Sequence, residues 1–353
     1  MRELEYKAFS FRTHKKNWQM NRLNVCQFEL TFGCGLHCKH CYADCYNKLP
    51  YIRKELDTKQ VKLILDKVHK AGMIWLCFTG GDPLTRPDFL EVYSFAKDKG
   101  FIITVFTNGY SMTRRIADYL KEKPPFVIEV TLNAVTGKIY EDISRVKGSY
   151  DKMMAGLKMI AERKLSLDIK TQAMQNNLEE LPKIKEFIES LGLKFRPSFD
   201  LHSRLNGDLT SCDFRISPDD YLRLNKRFSL DPAEKGKKPD TNLFRCAAGD
   251  RDGIHIDPYG NIFLCNLIRK PSFNLLNMGI EDALNRLSFL VKDRRFTTDS
   301  KCKNCKIREF CRNCPGRALL ETGDKEAVVP YYCELAHLTL GYPSHKEELE
   351  AVL

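Results

Sequence analysis

"VCQFELTFGCGLHCKHCYADC", residues 25–45, joins two patterns. Its first seven residues, Val25–Thr31, are mostly apolar or β-favouring and read as a strand. The stretch that follows sets Cys34, Cys38, Cys41 and Cys45 within twelve residues, in a chain of 353 residues with fourteen cysteines. Hydrophobic residues make up 43% and charged residues 29%, an ordinary globular balance. No apolar run approaches the roughly 18 residues that cross a bilayer. The first residues, "MRELEYKAFSFRTHKKNW", lack the apolar core and small-residue cleavage site of a secretory signal. A cytoplasmic protein is therefore expected. Structural disulfides are rare in that compartment, so crowded thiols point to a metal, a cluster or redox work.

The strand-then-loop plan recurs along the chain. "MIWLCFTGG" (73–81), "FIITVFTNG" (101–109), "FVIEVTLN" (126–133), "LSLDIKTQA" (165–173) and "LKFRPSF" (193–199) read as five more strands. Helical spacing separates them. Val61, Ile64, Leu65 and Val68 follow a capping Thr58, and Gly72 ends that helix. Phe89, Leu90, Val92, Tyr93 and Ala96 follow Pro87, and further helices fall near 111–121, 150–163 and 179–191. Apolar strands alternating with amphipathic helices imply an α/β protein whose parallel sheet is covered on both faces. Six units are too few for the eight-unit barrel, so a partial, TIM-like (β/α)6 barrel is expected over 25–200. Residues 1–24 form an N-terminal extension. Residues 201–241 read as a linker with one helix after Pro218 and a solvated loop, "DPAEKGKKPD". Residues 242–340 form a small cysteine-rich extension with short helices, in which "DGIHIDPYGNIFLC" is a β-hairpin. Residues 341–353 are a tail.

Cys34, Cys38 and Cys41 are spaced C-x3-C-x2-C in the loop at the C-terminal end of the first strand, where ligands gather in parallel barrels. Gly33 and Gly35 allow a tight fold around an inorganic core. Three thiolates can hold three irons of a [4Fe-4S] cube and leave the fourth open, whereas zinc usually takes four ligands in pairs. "CGLHCKHCY" resembles the signature of the radical S-adenosylmethionine (SAM) enzymes, and Tyr42 fits that pattern. The resemblance implies a [4Fe-4S] cluster whose open iron chelates SAM, and reductive cleavage of SAM to a 5′-deoxyadenosyl radical. "TGGDP" resembles the family's GGEP-like turn, which implies that Gly80, Gly81 and Asp82 hold the SAM amino group, with Asp in place of the commoner Glu. Thr107 and Asn108 end the third strand, and Thr131 and Asn133 end the fourth. The resemblance makes these four cofactor contacts, with Arg145 a bidentate donor to the SAM carboxylate.

A second cysteine set follows. Cys246 precedes Gly260 by thirteen intervening residues, Cys265 follows Gly260 after four more, and Cys302, Cys305, Cys311 and Cys314 are spaced x2, x5 and x2 before Cys333. The pattern resembles the SPASM extension of radical SAM enzymes. That resemblance implies two auxiliary [4Fe-4S] clusters, a distal one on Cys302, Cys305, Cys311 and Cys333 and a nearer one on Cys246, Cys265 and Cys314. The family's last internal gap is usually x3, so Cys314 departs by one residue. Spacing alone also permits a zinc ribbon on Cys302, Cys305, Cys311 and Cys314. Cys26 and Cys77 read as core thiols and Cys45 as packing beside the first loop. Cys212 is a candidate for the missing auxiliary ligand or for hydrogen-atom donation.

The resemblance implies oxidative modification of a ribosomally made peptide, with modification of a tetrapyrrole or other small molecule as the alternative. Formylglycine formation on sulfatases is disfavoured, because Asn266 stands where those relatives carry an acid and "CAAGDRD" holds no extra cysteine. A plain electron carrier leaves the Gly80–Asp82 turn without a purpose. The net charge of +11 suits solubility or attraction to an acidic partner. No compact basic block with interleaved aromatics suggests nucleic acid. Expected partners are a flavodoxin or ferredoxin as electron donor and a separate leader-binding protein.

Overall fold

The computed structural model describes residues 5–19, 24–228, 242–244, 253–263, 265–291 and 294–341. Cys246, the loop "DPAEKGKKPD" and residues 342–353 lie outside the described residues. Six parallel strands follow one another in chain order: β1 (Val25–Thr31), β2 (Trp75–Gly80), β3 (Ile102–Thr107), β4 (Val127–Thr131), β5 (Leu167–Gln172) and β6 (Arg196–Ser198). Three more extend the sheet on the β1 side. β7 (Gly253–Ile256) pairs parallel with β1, from Val25↔Gly253 to Phe28↔Ile256, and β8 (Asn261–Phe263) and β9 (Phe273–Asn274) continue antiparallel. Among the described residues the order is β6-β5-β4-β3-β2-β1-β7-β8-β9, and the sheet does not close. The expected open α/β barrel is present. The hairpin expected in the extension belongs to the same sheet.

Helix α1 (Tyr6–Gln19) precedes the sheet. It has no strong apolar period and was not expected. Aromatic contacts hold it: Trp75 Nε1 donates to Tyr6 Oη at 3.1 Å, and His14 stacks on Trp75 at 4.3 Å. Trp75 opens β2, so α1 covers the N-terminal end of the barrel. Between the strands run α2 (Thr58–Lys70), α3 (Phe89–Asp98), α4 (Arg114–Glu122), α5 (Gly137–Ser144), α6 (Ser149–Glu162) and α7 (Leu181–Ser190). The cap of α2 is Asp57 rather than Thr58. Its Oδ1 accepts from Gln60 N at 2.9 Å while Gln60 Oε1 accepts from Asp57 N at 3.0 Å. Thr58 Oγ1 instead donates to Asp88, the residue before α3. Helix α5 was not anticipated, since "GKIYEDIS" has few apolar positions. After the barrel come α8 (Pro218–Phe228), the expected helix after Pro218, then α9 (Ile280–Val291), α10 (Pro315–Thr322) and α11 (Pro330–Thr339). No helix among the described residues is long and apolar enough to cross a membrane.

The two faces of the sheet differ. Phe28, Phe78, Ile103, Val105, Val130 and Ile169 are fully buried on the outer face. They form one core with Ile64, Leu65, Val92, Met153, Ile160 and Ile184 of the helices. Each such side chain contributes about 1.5–3 kcal/mol by leaving water. The inner face carries Gln27, Glu29, Cys77, Glu129, Asp168 and Lys170 at the alternating positions. The expected covering of both faces therefore fails on the inner side. An incomplete ring of strands leaves a lumen, in which Gln27, Asp168 and Lys170 keep contact with water while Glu29 is fully buried. Cys26 is a buried core thiol as expected, whereas Cys77 faces the lumen side.

Candidate active site

The loop after β1 is fixed by groups other than its thiols. Cys34 N donates to Asn47 Oδ1 at 3.0 Å, and Asn47 Nδ2 donates to the carbonyls of Cys34 and Leu36 at 3.1 and 3.0 Å. His37 N and Lys39 N donate to Ser144 O and Ile143 O at the end of α5. From the other side, buried Arg204 donates to Cys41 O at 3.2 Å and to Asp44 Oδ2 at 3.3 Å, and Leu205 N donates to Tyr42 O. Cys34 Sγ accepts from Leu36 N at 3.4 Å and from Asn108 Nδ2 at 3.2 Å. Burial pushes the Cys41 thiol up to about 11 and those of Cys34 and Cys38 higher still, and the neighbouring cysteines add to the shift of the latter two. Three crowded, partly buried thiols that cannot readily ionise alone suit a strongly cationic inorganic core, which draws off their protons. No three His, Cys, Asp or Glu side chains among the described residues close on a single ion. A four-iron cube is held differently, each thiolate reaching its own iron. The residues fit such a cluster.

The turn after β2 packs backbone to backbone on this loop. Gly81 N donates to Thr31 O at 2.6 Å and Asp82 N to Gly33 O at 2.9 Å. Gly80 has φ +135, and a Cβ there would strike Thr31 O; one on Gly81 would strike the carbonyls of Phe32 and Gly33. We expect Gly81→Ala to cost about 1–3 kcal/mol through this overpacking against rigid backbone, read as a lowered denaturation midpoint. An unchanged midpoint would refute the close approach. Asp82 is fully buried. Its Oδ1 accepts from Leu84 N at 2.9 Å, and its Oδ2 accepts from Thr107 Oγ1 at 2.8 Å and Asn108 N at 3.0 Å. Burial raises this carboxyl to about 6 despite those three donors. The side chains of Asp82 and Thr107 thus bind the end of β2 to the end of β3.

The other expected contacts are placed as follows. Asn108 Nδ2 reaches Cys34, and its Oδ1 accepts from Tyr110 N. Thr131 is half-buried at the end of β4, on the inner face in register with Lys170. Asn133 is buried: its Oδ1 accepts from Gln172 N at 2.8 Å, and its Nδ2 meets His40 Nε2 at 3.3 Å. Arg145 is exposed beyond α5, in the left-handed conformation with φ 58. Tyr42 Oη donates to Glu29 Oε1 at 3.2 Å. Cys45 packs with Phe32, Ala43 and Leu205. Cys212 lies in the turn Leu209–Phe214 beside Arg215 and Glu321, and burial lifts its thiol to about 11.

Several residues of the site escaped the sequence reading. His40 lies inside the cysteine motif, and its Nδ1 is buried without a partner. Burial, with Arg204 nearby, lowers its imidazole to about 4, so the ring is neutral. Glu29 is 0% exposed and receives Arg269 Nη1 on Oε2 and Nη2 on Oε1, both at 2.7 Å. Arg269 also lies over the Phe263 ring at 4.8 Å. A signal for the inner face was present: polar residues at every second position in "VCQFELT" and "LDIKTQ".

Cys302, Cys305, Cys311, Cys314 and Cys333 line one pocket, with Leu243, Phe296, Ile307 and Val328 among its apolar walls. Burial raises the Cys311 thiol to about 12, and Cys302, Cys333 and Cys305 add to the shift. Burial likewise lifts Cys333 to about 11, with Cys302 and Cys305 contributing. Asn313 N donates to Cys311 Sγ at 3.4 Å. Cys314 is the residue before α10, and Gly316 packs on Leu267 and Ile268 of the turn that begins at Cys265. Leu320 of α10 packs in the cluster of Phe32, Ala43 and Leu205, together with Cys41 and Tyr42. One short helix therefore joins the two cysteine regions. Glu326 pins the neighbouring loop, accepting from the backbone N–H and hydroxyl of both Thr297 and Thr298.

Residues 28–188 match the profile of the Radical SAM superfamily. The chain is 25% identical over 341 residues to the AdoMet-dependent heme synthase of Methanosarcina barkeri, covering 88% of this chain and 96% of that one. It is also 25% identical over 304 residues to the mycofactocin maturase MftC of Mycobacterium tuberculosis, covering 81% and 76%. Among solved structures, SuiB of Streptococcus suis bound to S-adenosylmethionine superposes with a TM-score of 0.70 at 16% identity, over 93% of this chain and 82% of that one. At that identity the likeness concerns the fold.

Proposed function

We propose that the protein, whose residues 28–188 match the Radical SAM superfamily, is a radical SAM enzyme that oxidatively modifies a ribosomally made peptide with the help of auxiliary clusters. The observation that carries the substrate class is the inner face of the sheet. Over β4, β5 and β6 it offers hydrogen-bonding groups and charge pairs, Glu129 with Lys170 and Asp168 with Arg196. Such a surface suits a polar, flexible chain better than a flat macrocycle.

Cys34, Cys38 and Cys41 would hold the first cluster. Gly80, Gly81, Asn108, Thr131, Asn133, Arg145 and Tyr42 would surround SAM, with Asp82 and Thr107 positioning the backbone. When bound, cluster and SAM supply reductive cleavage to a 5′-deoxyadenosyl radical. The chain's own part is to hold the substrate, keep water out and fix the loop. Cys302, Cys305, Cys311 and Cys333 would hold one auxiliary cluster; Cys265 and Cys314, with Cys246, would hold another. A flavodoxin or ferredoxin would supply electrons, and a separate protein would present a leader.

A second reading is modification of a tetrapyrrole side chain. It is favoured by the near end-to-end match to the heme synthase. The test is anaerobic turnover with SAM and reductant, with a peptide pool in one arm and iron coproporphyrin III in the other. A peptide lighter by two hydrogen atoms, formed with 5′-deoxyadenosine, supports the first reading. Loss of carbon dioxide from the tetrapyrrole replaces it with the second. No change in either substrate overturns both.

A further inference from the structure

The inner face of β4, β5 and β6 carries four charges in two rows. The β4–β5 register sets Glu129 beside Asp168 and Thr131 beside Lys170, and the β5–β6 register sets Lys170 beside Arg196. The strands are parallel, so the order along them is common to all three. The carboxylates occupy the row nearer the N-terminal ends and the cations the row nearer the C-terminal ends. Lys170 Nζ pairs with Glu129 and lies 4.0 Å above the Phe106 ring. Arg196 Nη1 stands 3.5 Å from Asp168 Oδ2. The carboxylate side chains are 16% and 27% exposed, the cationic ones 51% and 67%. The positive row thus faces the opening and the negative row lies beneath it.

Stability does not account for the arrangement, because exposed ion pairs contribute only about 0–1 kcal/mol each. Neighbouring strands run about 4.8 Å apart, so one carboxylate group can bridge both cations. Lys170 keeps two ammonium donors beyond its pair, and Arg196 most of its five. Two residues above the cation row, Gln172 N donates to Asn133, which meets His40 of the cysteine loop. That separation is about 6–7 Å at strand rise.

We propose that Lys170 and Arg196 form a carboxylate-binding pair that anchors an anionic group of the substrate beneath the cysteine loop. The proposal rests on the reading of this lumen as the substrate site. Glu129 and Asp168 orient the cations and limit how tightly they hold an anion. The carboxylate belongs to an acidic residue of a peptide or to a propionate of a tetrapyrrole.

The test is equilibrium binding to the anaerobically reconstituted protein, without turnover. One arm uses coproporphyrin III against its methyl ester. The other uses a peptide pool containing Glu against the same pool with Gln. We expect one charged probe to bind roughly tenfold or more tighter than its neutral counterpart at low salt. Lys170→Met/Arg196→Gln should abolish that preference, and Lys170→Arg/Arg196→Lys should retain it. Glu129→Gln/Asp168→Asn should increase it, which a merely structural role would not do. The arm that shows the preference identifies the source of the carboxylate. The proposal is overturned if the wild type shows no preference in either arm, if the preference survives Lys170→Met/Arg196→Gln, or if it falls in Glu129→Gln/Asp168→Asn. Failure of the oxidation reading would show separately, as absence of product in the turnover assay.

Discussion

Protein carrying Cys34→Ala, Cys38→Ala and Cys41→Ala will hold about eight irons per chain after anaerobic reconstitution, against about twelve for the unmodified protein. It will no longer cleave SAM. Iron and sulfide analysis with Mössbauer spectra measures the first outcome, and assay of 5′-deoxyadenosine the second. The substitutions should leave the fold in place. Asn47, Arg204, Ile143 and Ser144 hold the loop through its backbone, and none of them depends on a thiol. About eight irons would remain because five cysteines of the second set, Cys302, Cys305, Cys311, Cys314 and Cys333, line a pocket that the first three do not share. About four irons with zinc in the unmodified protein would defeat the auxiliary-cluster proposal. A zinc module beside one radical cluster would replace it.

Arg269→Met will destabilise the protein by about 3–5 kcal/mol, the usual cost of stranding one partner of a buried ion pair. Glu29 has no exposure at all, and both its oxygens are taken by the guanidinium. Methionine fills the space and keeps contact with Phe263, but leaves a carboxylate that must be protonated or hydrated. Chemical denaturation of the variant reads the loss. The double variant Glu29→Gln/Arg269→Met should lose less than Arg269→Met alone, because no charge is then stranded. Additive losses would show that Arg269 matters for packing and not for the pair. Tyr42 shares the carboxylate, so the same change should also loosen the residue next to Cys41.

Much of the barrel was legible because its signals are local. The six strands fall inside the quoted stretches, and α2 ends where Gly72 follows it. The cysteine loop and the Gly80–Asp82 turn were readable for the same reason, as short motifs after strands. What escaped depends on distance. Glu29 and Arg269 are separated by 240 positions, and no local pattern couples a glutamate in a strand to an arginine in a loop. The cap of α2 was misplaced by one residue because Asp57 and Thr58 are both good caps, and Gln60 decides between them. Lumen polarity was missed because Trp75, Cys77 and Phe106 make the strands look apolar throughout, although they alternate with the core residues. Helix α1 is held by Trp75 across the bottom of the barrel, a contact that its own sequence does not announce.

The pairing of β1 with β7 bears on how the chain is made. Val25 meets Gly253, so β1 leaves the ribosome 253 − 25 = 228 residues before its second neighbour. At about 5–20 residues per second that interval lasts on the order of tens of seconds. During it, one edge of the strand that leads into Cys34 is unpaired and prone to wrong association. The same interval leaves Glu29 of that strand without Arg269, its ion-pair partner. Only synthesis of the last third of the chain supplies both partners, so the strand that carries the cysteine loop reaches its final pairing at the end of translation.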